Sequence, residues 1–137
     1  QAAYGLVQLK HIDDYISKRK CIAELYRHKL KNIKDLKMLY DIPGVRHSYT
    51  YFPILIDENS YGASRDTVYK VLKDNNIYGR RYFYPLISQF PTYRGLISAK
   101  LENLPNASKV ASQVICLPIY PDLEGDFVEL ICRILIS

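Results

Sequence analysis

Between Gly79 and Gln89 the chain reads Gly79-Arg80-Arg81-Tyr82-Phe83-Tyr84-Pro85-Leu86-Ile87-Ser88-Gln89, two adjacent guanidinium groups followed by three aromatic rings and a proline. Side chains alternate along a strand, so Arg81, Phe83 and Pro85 would face one way and Arg80, Tyr82 and Tyr84 the other. Pro85 ends such a strand because it has no N–H for the ladder. One face then offers cations and phenols to a phosphorylated or sugar-like ligand. The competing reading is an edge strand whose rings pack in the core while the arginines stay in water.

No other constellation is complete. His11, His28 and His47 lack metal-ligand spacing and neighbouring carboxylates. Asp13-Asp14 and Asp57-Glu58 are sequence neighbours, which point in different directions on a helix and do not suit two-carboxylate catalysis. The sequence has no GxSxG, phosphate-binding P-loop or GxGxxG. Cys21, Cys116 and Cys132 are odd in number and without CxxC spacing, as expected of small apolar residues in a reducing compartment.

The elements that must position the Arg-Arg-Tyr stretch follow from periodicity. Apolar residues Leu9, Ile12, Ile16, Ala23, Tyr26 and Leu30 recur at three- and four-residue steps, predicting a long amphipathic helix from Leu6. About 25 residues at 1.5 Å each span roughly 38 Å, more than one small core needs, so the helix is expected to brace a second domain or subunit. Asp41-Ile42-Pro43-Gly44 is turn chemistry, and Ser48 to Ile56 reads as a strand placed by Pro53 at an edge or bulge. After the turn-like Asp57 to Gly62, Ser64 caps a helix with Asp66 in its first turn and Val68, Val71 and Leu72 inward. Ile77 onward forms a second strand running into the Arg-Arg-Tyr stretch. Pro105 opens a short helix with Ala107, Val110, Ala111 and Val114 inward; Ile115 to Tyr120 is a third strand; Phe127, Leu130, Ile131, Ile134 and Leu135 mark a closing helix. The expectation is an α+β fold, a small three-stranded, mainly antiparallel sheet packed against helices, with residues 1–137 forming a single domain.

At 137 residues and 48% apolar content there is material for one core, and no apolar run is long enough for a membrane span. No signal-peptide pattern is present, so a cytoplasmic protein with no membrane partner is expected. The net charge of +5 lies entirely in residues 1–37, with nine Lys or Arg against four acids. A basic, tyrosine-rich nucleic-acid module is therefore one alternative function, and a domain serving dimerisation alone is another. The uncapped start at Gln1-Ala2-Ala3 gives the expectation of a piece of a longer chain.

The order of motifs resembles a known family. Gln1 to Leu9, Arg19 in the long helix, Ser64-Arg65-Asp66, Arg80 to Leu86 and Cys116-Leu117-Pro118-Ile119-Tyr120-Pro121 are similar to the C-terminal part of DegT/DnrJ/StrS aminotransferases. These enzymes use pyridoxal phosphate to aminate nucleotide-linked keto-sugars, and Tyr-Phe-Tyr-Pro-Leu resembles the branch acting on thymidine-diphosphate-linked 4-keto-6-deoxyhexoses. Many members carry His-Tyr-x-x-Pro-Leu-His here; Tyr82 stands near the first histidine position and Ile87-Ser88 near the second, so this sequence departs from the family at both histidines and no histidine role is carried over.

The resemblance implies the small C-terminal domain of a homodimeric fold type I aminotransferase, alone inactive, whose large domain holds the cofactor. None of the eleven lysines matches the family's cofactor lysine, so no catalytic, cofactor-binding or metal-binding residue is expected in this chain. Arg80, Arg81, Tyr82 and Tyr84 are implied to be substrate-binding, with glutamate as the amino donor.

Overall fold

The helical spacing after Leu6 is realised as α1 (Ala2–Leu30) in a computed structural model that describes residues 1–136. There follow β1 (Leu36–Met38), β2 (Phe52–Ile56), α2 (Glu58–Tyr61), α3 (Arg65–Asp74), α4 (Pro105–Gln113), β3 (Val114–Leu117) and α5 (Gly125–Ile136). The chain gathers into two compact units, one of residues 1–33, 39–52 and 118 onward, the other of residues 34–38 and 53–117.

In the first unit α1 packs against α5. Only the C-terminal half of α1 is buried, through Ile22, Ala23, Tyr26 and Leu30. Leu9 and Ile12, expected on the inward stripe, are 65% and 40% exposed, and Tyr4, Leu6 and Val7 beside them are also bare. The apolar period of a helix marks a face for burial but does not say that this unit covers its whole length. On α5 the buried set is Val128, Ile131, Cys132 and Leu135, with Phe127 turned outward, a rotation from the expected face. Tyr26 stacks on Phe52 at 4.9 Å between ring centroids and donates its hydroxyl to Pro118 O at 3.0 Å. Burial, then the nearby Cys132 and Tyr120, pushes its phenol well above its ordinary pKa.

The loop between β1 and β2 is tied to α1 by arginines. Arg19 donates twice to Ser48 O, at 3.0 and 2.8 Å, and Arg27 reaches Leu39 O and Asp41 Oδ1, the latter at 2.7 Å. Lys18 pairs with Asp14, Lys20 with Glu24 and Lys29 with Glu129. Two of these pairs, Arg27 with Asp41 and Lys29 with Glu129, use acids from outside residues 1–37 and so offset part of the basic excess there.

The second unit holds a sheet of order β1-β2-β3. β1 pairs antiparallel with β2, Leu36 opposite Ile56 and Met38 opposite Ile54. β1 had no sequence signature, being three residues long inside a basic stretch. β2 starts at Phe52, later than expected: upstream, Tyr49 has a φ of 51°, outside extended backbone, and Ser48 O accepts from Arg19. It is the central strand, yet Pro53 precedes the residues paired to β1 and so costs no bond there. β3 is buried at all four residues, and buried Ile54, Ile56, Val68, Leu72 and Ile77 surround it in the same core. Val71, Ala107 and Val110, expected inward, are exposed; α4 buries only Ala111. Cys116 and Cys132 are buried and their thiols pushed up to about 11, which keeps them protonated and unreactive near neutrality.

Tyr26→Phe keeps the ring stack but leaves the Pro118 carbonyl short of its donor, and is expected to lower unfolding stability by about 1 kcal/mol, read from the urea midpoint. Tyr26→Ala removes the ring as well and is expected to cost about 3–5 kcal/mol.

Candidate functional site

The Arg-Arg-Tyr stretch is not a strand. Arg80 makes one antiparallel bridge, its N–H to Cys116 O at 2.9 Å and its C=O from Cys116 N–H at 2.8 Å, after which the backbone turns away. Gly79 permits that approach, since a Cβ there would lie 3.0 Å from Ile115 Cδ1 and 3.3 Å from Cys116 O. The strict alternation of side chains is therefore lost. Arg81 and Tyr84, expected on opposite faces, come together: the Arg81 guanidinium carbon sits 4.4 Å from the Tyr84 ring centroid and 4.6 Å from that of Tyr69. Arg80 is exposed and Tyr82 stacks on Phe83 at 4.0 Å; of the four residues only Tyr84 lines the adjacent cleft.

The residues that organise the site come from the start of α3. Ser64 caps the helix by accepting from Thr67 N–H at 3.1 Å. Arg65 follows and is 2% exposed. Its Nη1 donates to Ala111 O at 3.0 Å and Val114 O at 2.9 Å, so it serves the carbonyl end of α4, where the helix dipole favours a cation. Its Nε donates to Asp66 Oδ1 at 2.9 Å, and Arg81 Nη1 donates to that same oxygen at 3.1 Å. The Arg65 guanidinium also lies over Tyr84, at 5.0 Å. Two cations and one carboxylate thus converge on one ring.

Burial works against ionisation of Asp66, but hydrogen bonds and charge from Arg81 and Arg65 outweigh it, holding the carboxyl below its ordinary 3.8. Beside this cluster lies an open cleft of about 340 Å³, lined among others by Arg65, Asp66, Tyr84, Gln89 and Ser108. Ser108 Oγ is buried without a hydrogen-bond partner among the described residues. The cleft thus offers a buried cation, hydroxyls and an amide, groups that suit an oxygen-rich ligand. No lysine lines it, so it does not fit the aldehyde end of pyridoxal phosphate. Among the described residues no three His, Cys, Asp or Glu side chains gather to hold a metal.

A family model described as the DegT/DnrJ/EryC1/StrS aminotransferase family matches residues 1–136. The chain belongs to that family. It is 53% identical over 136 residues to a dTDP-4-amino-4,6-dideoxy-D-glucose transaminase of Escherichia coli, covering 99% of this chain and 36% of that protein. A transaminase of the same description from Shigella dysenteriae is 38% identical over 130 residues, covering 95% and 35%. A crystal structure of DesI in the presence of its TDP-sugar product superposes with a TM-score of 0.89 at 27% identity, over 98% of this chain and 33% of that one. The chain therefore spans about a third of the length of the relatives it matches. The α+β architecture with its long first helix and three-stranded sheet is that of these aminotransferases.

Of the residues in this cluster, the sequence singled out Arg81 and Tyr84, but gave Arg65 no role and Asp66 only a helix-dipole role. A cue was present, a cation at the first position of a helix where the dipole disfavours it, followed by an acid. No helix among the described residues is long and apolar enough to cross a membrane.

Because the folded Asp66 carboxyl titrates below its unfolded value, its pairing stabilises the fold at neutral pH and is lost as pH falls below about 4. Acid unfolding of Asp66→Asn is expected to show a shallower pH dependence below pH 4 than the parent chain; identical profiles would contradict the pairing.

Proposed function

We propose that this chain is the C-terminal part of a pyridoxal-phosphate-dependent aminotransferase that moves an amino group from glutamate to the C4 keto group of a thymidine-diphosphate-linked 4-keto-6-deoxyhexose. The observation that carries the reading is the 53% identity, sustained over 136 residues, to a transaminase whose name specifies a 4-amino-4,6-dideoxy sugar on dTDP. Pyridoxal phosphate supplies the electron sink for the transfer. The lysine that holds it falls to the other two thirds of the protein, and this chain alone is inactive.

The chain's own contribution is binding and orientation of the sugar nucleotide. Tyr84 borders the cleft and Arg81 lies against its ring, and with Arg80 and Tyr82 they are the residues assigned to the substrate, since guanidinium and phenol groups match diphosphate oxygens and sugar hydroxyls. The bare apolar half of α1, from Tyr4 to Ile12, supports a further assignment of that surface to the rest of a homodimeric protein. The partly matched charges of α1 favour this reading over a nucleic-acid module.

The full-length protein, given glutamate and cofactor, is expected to convert a dTDP-linked 4-keto-6-deoxyhexose to its 4-amino product, seen by mass spectrometry. Turnover of GDP- or UDP-linked keto-sugars in preference would remove the thymidine assignment. Arg81→Ala is expected to raise KM for the sugar nucleotide about 10- to 100-fold with a smaller change in kcat, the loss of one charge-assisted contact. Unchanged kinetics in an Arg81→Ala, Tyr84→Ala double variant would instead favour a domain that only supports assembly.

A further inference from the structure

We infer that Asp66, backed by Arg65 and flanked by Tyr69, is a positioning residue that presents the Nε–Nη2 edge of Arg81 to a diphosphate. This rests on the reading above that Arg81 meets the sugar nucleotide. The geometry runs in a chain of fixed contacts. The carbonyls of Ala111 and Val114, at the junction of α4 and β3, hold the buried Arg65 Nη1. Arg65 Nε holds Asp66 Oδ1, and that oxygen holds Arg81 Nη1. Tyr69, one helical turn after Asp66 on α3, and Tyr84 set their rings against the Arg81 guanidinium.

What remains of Arg81 decides the ligand. With one terminal nitrogen tied to Asp66 and rings over the guanidinium plane, the Nε and Nη2 donors have no partner among the described residues. Those two N–H groups point in parallel, the fork that grips two oxygens of one phosphate or carboxylate at once. Charge favours the phosphate. Arg65 and Arg81 together carry two positive charges against the single negative charge of Asp66, leaving one uncompensated cation at the exposed member of the pair. Asp66 therefore sets the direction of Arg81 without cancelling it, whereas a free Arg81 side chain would sample many rotamers before binding.

The test is a double-mutant cycle in the full-length protein, read as the Kd for dTDP by calorimetry, which needs no turnover. Arg81→Ala is expected to weaken dTDP about 10- to 100-fold and Asp66→Asn about tenfold. In an Arg81→Ala background, Asp66→Asn is expected to change Kd by less than about twofold, because it acts only through Arg81. Asp66→Glu, which keeps the charge, should recover part of the loss. Arg81→Lys, which has no fork, should not. Tyr69→Leu leaves the carboxylate in place and should also weaken dTDP, which serves if Asp66→Asn fails to fold. An Asp66→Asn effect of equal size in both backgrounds, or none in either while Arg81→Ala still weakens dTDP, overturns the positioning role. Unchanged dTDP affinity in Arg81→Ala is a separate failure, that of the substrate-lining reading itself.

Discussion

A single buried cation governs the second unit. Removing a guanidinium from water costs several kcal/mol unless its donors are matched, and Arg65, 2% exposed, meets that cost with two carbonyls and a carboxylate. Its placement joins three elements: α3, which carries it; α4, whose last-turn carbonyl it satisfies; and β3, whose first residue supplies the second carbonyl. A cation at the start of α3 opposes that helix's own dipole. The same charge is favourable at the carbonyl end of α4, and Asp66 in the first turn offsets the local penalty. The side chain belongs by sequence to one helix and by energy to another.

From that pairing the Arg-Arg-Tyr segment takes its shape. Asp66 accepts from both Arg65 and Arg81 on one oxygen, so the segment after the Arg80–Cys116 bridge is drawn back over the start of α3. The Tyr84 ring then lies against both guanidinium groups. Cation–ring contact of this kind is worth about 0.5–2 kcal/mol and is strongest where water is excluded. Tyr84 lies against the buried Arg65 and borders the open cleft, which makes it the link between the packed interior of this unit and that cleft.

Local signals in the sequence were enough for much of this. The Ser64 cap with Asp66 two residues on, Pro105 at a helix start and the apolar period of α1 each specify an element through neighbours a turn away, and each element is where they place it. What failed was decided at longer range. Arg65 finds its carbonyl partners 46 and 49 residues along the chain. β1 is recognisable only through its pairing with β2. The Arg-Arg-Tyr stretch has strand-like composition but leaves strand geometry after the Arg80–Cys116 bridge, where Arg81 meets a carboxylate fifteen residues earlier, so period-two reasoning assigned Arg81 and Tyr84 to opposite faces. Order of motifs pointed to the aminotransferase family, where composition alone gave a basic α+β domain.

The arrangement has an energetic logic: it orders a guanidinium before anything meets it. An arginine that must be ordered on binding loses about 0.5–1.5 kcal/mol of side-chain entropy at that moment. Here the ordering is completed during folding, by a carboxylate and two rings whose own positions are fixed by the Arg65 contacts. The exposed Asp66 contact is weak by itself, as surface ion pairs are. Its strength comes from sharing an oxygen with a buried arginine that cannot move without stranding two carbonyls. Rigidity is thus transmitted outward from the core to a surface guanidinium, whose remaining donor edge is held in one direction.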